Sequence, residues 1–244
     1  MRTFTDTHRV GAADVDADGR AHPFSLARWL QETAFEDGLD SGFGAEAFWI
    51  IRRLALTIRR MPAFPERLSI ETWCSAKAKT VAERSSRIRG DAGADVESVA
   101  IWVHVDPETR LPARLPQEFE EIYGPSAGDR KARSSLRHPA EPPAGAEELS
   151  WNFGSSDIDL AGHVSNLWYW QVAEEYLDLS QPAEPSGRPF VLEAEFRAGV
   201  GRGRAIVHRA GTMLWISDQE GTLAATLAVV ADPEAADPPA GAGR

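Results

Sequence analysis

The stretch from Asp157 to Asn166, Asp-Ile-Asp-Leu-Ala-Gly-His-Val-Ser-Asn, decides how the chain is interpreted, because a related stretch occurs earlier. The earlier copy runs from Asp14 to Pro23 and reads Asp-Val-Asp-Ala-Asp-Gly-Arg-Ala-His-Pro. Three residues recur at a constant offset of 143 positions, in the pairs Asp14 and Asp157, Asp16 and Asp159, and Gly19 and Gly162. The register continues without a gap into two similar helical patterns, which is typical of two copies of one structural unit.

Each copy is followed by the same order of predicted elements. In the first half, a helix over 23–36, with Ser25 placed to cap its start, precedes strands over 48–60, 67–74, 81–89 and 96–106. In the second half, a helix over 166–179 precedes strands over 189–197, 204–210, 212–217 and 222–230. One helix followed by an antiparallel meander is an α+β arrangement, with the sheet packed on or wrapped around the helix.

The sequence therefore predicts two α+β units in tandem, an N-terminal unit over 1–123 and a C-terminal unit over 149–232. Residues 124–148 are rich in Pro, Gly, Ala and charge, so we expect a linker with little structure of its own. Residues 233–244 are rich in Pro, Ala and Gly, and we expect a flexible tail there.

Composition narrows the class of protein. The chain has 244 residues, of which 43% are hydrophobic, enough for one large or two small cores. Cys74 is the only cysteine, which excludes an intramolecular disulfide and a thiolate-rich metal site, and we expect neither a metal nor a cofactor. No apolar run approaches the roughly 20 residues that span a bilayer, and the first residues do not resemble a signal peptide. We expect a soluble cytoplasmic protein with no membrane partner.

The formal net charge of −11 argues against general nucleic-acid binding, which needs a basic face to displace counterions. Local basic clusters remain, among them Arg130, Lys131, Arg133 and Arg137 in the predicted linker. These residues either meet an acidic partner or make the linker soluble, and net charge does not decide between the two.

The second copy carries the residues that could take part in catalysis. The predicted turn places Asp159 just before a helix N-terminus, where amide N–H groups, such as those of Gly162 and His163, stabilise developing negative charge. His163 would lie about one turn away and orient a carbonyl or a water molecule. The first copy has Arg20 where the second has His163, which favours the second copy as the site. Asp157 and Asp159 have an alternative role as residues that turn and cap the chain, and local chemistry leaves both roles open.

The second copy resembles the active-site turn of hotdog-fold thioesterases, and a wider pattern resembles the first half of acyl-ACP thioesterases. That pattern comprises Asp16 to Arg20, Trp29 to Ala34, Arg53 with 56–58, Glu71 to Trp73, and 102–116. The resemblance covers most of residues 4–123 and 150–200 and fades in the last strands. It implies two hotdog units in tandem, each a central helix wrapped by an antiparallel sheet, and hydrolysis of fatty acyl thioesters on acyl carrier protein.

The family's catalytic pattern is only partly present. The family has Asp-x-Asn-x-His in this turn and a Glu on a later strand. Asp159 and His163 match the Asp and His, whereas Ala161 replaces the Asn and Gly199 falls at the Glu position. A shift of register could bring Glu195 or Glu193 to that position instead. The resemblance thus predicts a site of Asp159, His163 and Gly162, with Asp159 as base or nucleophile.

The resemblance also suggests where the substrate lies and what carries it. The acyl chain would enter between helix and sheet of the first unit, so we expect Trp29, Leu54 and Leu56 to line its path and Asn166 to bind substrate. An acidic acyl carrier protein would dock on Arg130 to Arg137. Two alternatives stay open, an acyl-CoA thioesterase on the same fold and a non-catalytic acyl-thioester-binding protein. The sequence also leaves open whether two chains form a homodimer.

Overall fold

The structure, a computed structural model, describes residues 2–43, 48–179 and 189–230. The tail predicted over 233–244 lies outside these residues. The elements in chain order are β1 (Phe4–Arg9), α1 (Pro23–Ser41), β2 (Phe48–Arg60), β3 (Arg67–Lys77), β4 (Val81–Gly90), β5 (Asp95–Val105), α2 (Gln117–Ala127), β6 (Glu147–Phe153), α3 (Tyr169–Tyr176), β7 (Phe190–Phe196), β8 (Gly203–Ala210), β9 (Met213–Ser217) and β10 (Leu223–Val230). The predicted strands are all present, and the α+β class is confirmed.

One antiparallel sheet of ten strands forms the frame, in the order β1-β3-β4-β5-β2-β7-β10-β9-β8-β6. The five strands of the first half and the five of the second therefore occur in mirrored order. They meet where β2 pairs with β7, in a register that places Ala55 opposite Glu193 and Leu56 opposite Leu192. The two halves share a continuous core, in which Trp29 and Trp170 are among the largest fully buried side chains.

The repeated loops adopt the same backbone structure. Each begins with a short 3-10 turn closed by a carboxylate: Asp14 Oδ2 accepts the Gly11 N–H at 2.8 Å, and Asp157 Oδ2 accepts the Gly154 N–H at 2.7 Å. Gly19 and Gly162 then take left-handed φ values of 75° and 81°, which side-chain-bearing residues rarely adopt. The offset of 143 residues in sequence is therefore an offset between equivalent positions in the structure.

The two helices that follow the loops differ from their predicted starts. His22 precedes α1 as its N-cap without a side-chain cap bond, and Pro23 occupies the first helical turn. The prediction that Ser25 caps this helix is wrong, because Ser25 lies inside it and is buried. Residues 166–168 form a turn, so α3 begins at Tyr169 rather than at Asn166. No helix in the described part of the chain is both long and apolar enough to cross a bilayer.

The segment predicted as a linker, 124–148, contains more structure than its composition indicates. Helix α2 extends into it as far as Ala127, and Arg130 then donates hydrogen bonds to the carbonyl oxygens of Ser75 and Ser126. Further on, the Trp215 indole N–H donates to the Pro139 carbonyl oxygen at 2.9 Å. Contacts to the first and second units thus fix this segment along its length.

A buried group of charged side chains, here called the linker clasp, holds the segment across the β2–β7 junction. It consists of Arg53, His138, Glu193, Glu195 and Arg197. Glu195 is fully buried. Its carboxylate accepts one hydrogen bond from the backbone N–H of His138 and one from Arg197 Nη2, both at 3.1 Å. Burial alone would raise the pKa of Glu193, but the neighbouring His138 ring and the Arg53 charge hold it below its usual value.

Three possible metal ligands of the clasp, His138, Glu193 and Glu195, lie within 4.8 Å of one another. Several of their atoms already have partners, because Glu195 accepts backbone N–H groups and His138 Nδ1 lies 2.9 Å from Thr226 Oγ1. The guanidinium groups of Arg53 and Arg197 stand beside the carboxylates and would repel a cation. We therefore interpret the clasp as a structural network of ion pairs.

Removal of the Glu195 carboxylate tests the clasp. Glu195→Ala leaves two backbone N–H groups without an acceptor and the Arg197 guanidinium without its carboxylate partner, so we expect it to lower the free energy of unfolding by about 3–5 kcal/mol. Glu97→Ala is the matched control, because Glu97 pairs with half-exposed arginines on β4 and should cost less than about 1 kcal/mol. Urea unfolding measures both, and equal costs would contradict the role given to the clasp.

Candidate active site

The Asp159 carboxylate stabilises its own loop through one of its oxygens. Oδ1 accepts the N–H of Ala161 at 2.8 Å and the N–H of His163 at 3.3 Å. In the first copy, Asp16 Oδ1 accepts the N–H groups of the equivalent residues Asp18 and Arg20, both at 2.9 Å. Because both copies form these bonds, they serve the loop structure, and a chemical role for Asp159 falls to Oδ2.

The predicted oxyanion donors do not lie at a helix N-terminus. Helix α3 begins at Tyr169, ten positions after Asp159. The Gly162 N–H donates to the Asp159 carbonyl oxygen at 3.0 Å, and the His163 N–H donates to the Asp159 carboxylate. Both amides are thus engaged inside the loop, which leaves the exposed His163 imidazole as the group able to donate to a bound carbonyl.

The loop after β7 packs directly against His163. A Cβ built on Gly199 would lie 2.7 Å from Cγ of His163, closer than side chains approach one another. The Val164 N–H donates to the Val200 carbonyl oxygen at 2.8 Å and fixes this contact. Gly199 therefore occupies the neighbourhood of His163 in which the resemblance places a glutamate, and the imidazole fills the space that such a side chain would need.

Glu193 and Glu195 do not replace the missing glutamate. Leu192 and Ala194 of β7 pack into the main core, and alternation along a strand directs Glu193 and Glu195 to the opposite face. There both carboxylates belong to the linker clasp. The alternative of a shifted register is therefore wrong.

The remaining neighbours of the loop are the turn at Asn166 and the start of α3. Asn166 is half-buried between the loop and the helix. The Tyr169 hydroxyl is buried without a partner among the described residues, and its ring contacts those of Phe153 and Phe196. Burial, together with the nearby charges of Asp159 and Asp218, raises the pKa of Tyr169. The phenol therefore stays protonated at neutral pH.

A cavity of about 600 Å³ opens between α1, α2 and the sheet of the first unit. Its wall is mainly apolar and includes the aromatic residues Phe43, Phe48, Trp49, Trp102, Phe119 and Tyr123. Leu160, a fully exposed neighbour of Asp159, also lines it. The loop of the second unit thus borders a cavity in the first through Leu160, the residue after Asp159. A cavity of this size and apolar character is typical of small-molecule sites.

The side chains predicted to line an acyl path lie elsewhere. Trp29, Leu54 and Leu56 are at most 4% exposed and belong to the main core, outside the described lining of the cavity. Phe119 and Tyr123 of α2 were not among the predicted lining residues, because no helix was predicted there. Their spacing of four residues on one face of an amphipathic segment was the available signal.

The basic residues of the linker differ in how accessible they are to a binding partner. Arg130 is engaged with two backbone carbonyl groups, as described above, whereas Lys131, Arg133 and Arg137 are exposed. Ala132 between them is buried, so the backbone holds Lys131 and Arg133 at fixed positions on the surface.

Comparison with known proteins agrees with this architecture. A family model of the acyl-ACP thioesterase N-terminal domain matches residues 1–123, half of the chain. The palmitoyl-acyl carrier protein thioesterase of Gossypium hirsutum is 24% identical over an alignment of 220 positions, which covers 82% of this chain and 52% of that protein. The chain thus spans about half the length of this plant relative.

Two solved structures have the same fold. An acyl-ACP thioesterase from Bacteroides thetaiotaomicron superposes with a TM-score of 0.77 at 18% identity, over 93% of this chain and 97% of the other. The 12:0-ACP thioesterase from Umbellularia californica gives a TM-score of 0.71 at 18% identity, over 93% and 96% of the two chains. The family match over the first half and the shared fold over both halves lead to one conclusion: this chain belongs to the acyl-ACP thioesterase family.

Proposed function

We propose that this protein hydrolyses fatty acyl thioesters carried by acyl carrier protein and releases free fatty acids. One observation carries the proposal, the Asp159 loop of the second unit bordering the aromatic cavity of the first. The cavity would hold the acyl tail, and the thioester would lie at its mouth beside Asp159 and His163. Family membership supports the reaction type.

The reaction needs a base and a donor to the carbonyl oxygen. Asp159 Oδ2, the carboxylate oxygen not used by the loop, takes a proton from water, and the resulting hydroxide attacks the thioester carbonyl carbon. The His163 imidazole donates a hydrogen bond to the carbonyl oxygen as negative charge develops there. The carbon–sulfur bond then breaks, and the thiolate leaves with the proton from Asp159. Gly162 sets the left-handed turn that brings the two side chains together.

Substitution of Asp159 tests this assignment against a matched control in the same chain. Asp159→Asn keeps an oxygen for the two loop N–H groups but removes the base, so we expect kcat to fall about 10²–10⁴-fold. Asp16→Asn alters the equivalent carboxylate of the first copy and should leave kcat unchanged. Release of free thiol from acyl-ACP measures both. Equal effects of the two substitutions would show that Asp159 acts only through the loop structure.

Gly199 generates a second prediction about the same site. Gly199→Ala places a methyl group against the His163 ring, so we expect the ring to move and kcat to fall about tenfold or more. Gly201→Ala is the control, because a Cβ there meets nothing within 4 Å. The His163 imidazole NMR signals should shift in the first variant and not in the second. An unchanged kcat in Gly199→Ala with a displaced ring would remove His163 from the mechanism.

The exposed linker residues Lys131 and Arg133 support docking of an acidic carrier protein. Such docking would distinguish an acyl-ACP thioesterase from an acyl-CoA thioesterase. Reversing both charges should lower kcat/KM on acyl-ACP about tenfold at low salt and leave acyl-CoA turnover unchanged. Arg202→Glu, an exposed change in the second unit, serves as the control. A higher kcat/KM on acyl-CoA than on acyl-ACP would favour the coenzyme A alternative, which Ala161 and Gly199 motivate. Tight binding without turnover would favour the non-catalytic one.

The cellular setting is part of the same proposal. A single cysteine, buried in β3, suits a reducing compartment, and we place the protein in the cytoplasm. Association of two chains is not required for the site, because both units that form it belong to one chain.

A further inference from the structure

The cavity of the first unit has one guanidinium group in a largely apolar wall that also includes Glu32, Glu36 and Glu83. Arg84 on β4 lines the cavity together with Cys74, Ala82 and the Tyr123 ring. Its side chain is 16% exposed, so most of it is buried between α1 and the sheet. A guanidinium group at this depth is costly unless its N–H groups have acceptors.

Only part of the Arg84 guanidinium is satisfied by the protein. Nη1 donates to Asp37 Oδ2 at 2.8 Å and to Thr72 Oγ1 at 3.2 Å. Among the described residues, Nε and Nη2 of Arg84 have no hydrogen-bond acceptor. Both atoms remain accessible to solvent. Because Arg84 lines the cavity and its guanidinium lies over the Tyr123 ring of the same wall, we infer that the edge with these two N–H donors faces the space inside.

This edge lies far from the reacting end of a bound molecule. The lining residues of α1 run from Gln31 to Gly38, about 10 Å along the helix at 1.5 Å per residue. The internal repeat places Gln31 beside the second loop, because the equivalent Glu174 of α3 contacts His22 at 2.5 Å. Arg84, by contrast, bonds to Asp37 in the last turns of α1.

The charges around Arg84 are already balanced. Arg2 donates to Asp37 Oδ1 at 2.8 Å and to Asp40 Oδ2 at 2.7 Å, so two arginines face two aspartates. A bound carboxylate would add one uncompensated negative charge to a buried network. Glu32 and Glu36, which also line the cavity, would repel it further. A hydroxyl or a carbonyl oxygen accepts the same hydrogen bonds without adding charge.

We propose that this cavity selects acyl groups that carry a neutral oxygen, a hydroxyl or a keto group, several carbons from the thioester. The proposal rests on the proposed function for the orientation of the acyl group and names the substrate class more narrowly than a plain fatty acid. The oxygen accepts from Nε and Nη2 of Arg84, and the aromatic wall holds the hydrocarbon on either side. A saturated chain of the same length leaves these donors facing methylene groups, which costs binding free energy.

The test compares acyl thioesters of one length, a saturated chain and a series in which a hydroxyl or keto group moves outward one carbon at a time. We expect one position to raise kcat/KM about tenfold over the saturated chain, the effect of one hydrogen bond to a charged donor. Arg84→Met should abolish this preference, and Arg89→Met, on the exposed face of the same strand, should retain it. A wild-type protein that prefers the saturated chain at every position would overturn the proposal.

Two further measurements keep the test decisive. Arg84→Lys keeps a positive charge for Asp37 but lacks the paired donors, so it should lose most of the preference even if the methionine variant does not fold. Calorimetric binding of the corresponding free acids is independent of turnover. Tighter binding of the oxygenated acid without hydrolysis would refute the proposed reaction and support the selectivity. Hydrolysis with equal binding of the oxygenated and the saturated acid would support the proposed reaction and refute the selectivity.

Discussion

Antiparallel pairing of β2 with β7 is the interaction on which the rest of this molecule depends. It converts two five-stranded units into one sheet, and it is the reason that a loop of the second unit borders a cavity of the first. Backbone pairing alone leaves the outer face of this junction with buried charges on β7. The linker clasp satisfies them, because backbone N–H groups of the crossing segment and two arginines surround Glu193 and Glu195. A site built from both units requires this junction to be rigid.

The two copies share one loop structure and differ in the side chains around it. Asp16 and Asp159 make the same hydrogen bonds to their own loops, and two left-handed glycines close the same turn. The copies then diverge at the side chains around this frame: Leu160 reaches the cavity, and His163 packs on Gly199. The close approach at Gly199 also shows what accompanies the departure from the family pattern in this chain, where the His163 ring packs directly on a residue that has no side chain.

The sequence predicted the elements well and the site only in part. Strand alternation and the repeat of 143 residues indicated the strands, the two units and the loop that bears Asp159, because these follow from local periodicity. The same reasoning placed Trp29, Leu54 and Leu56 beside the substrate, whereas they pack in the core. A buried face of a strand or helix has the same sequence pattern whether it lines a cavity or contacts other side chains. The amides of Gly162 and His163 were expected to be free, but the loop itself uses them.

By itself, the sequence determined the α+β class, the duplication, the turn geometry at the two glycines and the family resemblance, all of which depend on residues close together in the chain. Only the tertiary structure decided which carboxylates belong to the clasp, that α2 closes an aromatic cavity, and that Arg84 presents donors inside it. Those outcomes depend on which strand faces meet across the β2–β7 junction and on where the linker crosses it. Contacts between residues far apart in the chain, such as Asp37 with Arg84 or Arg53 with Glu193, leave no periodic signal in a single sequence.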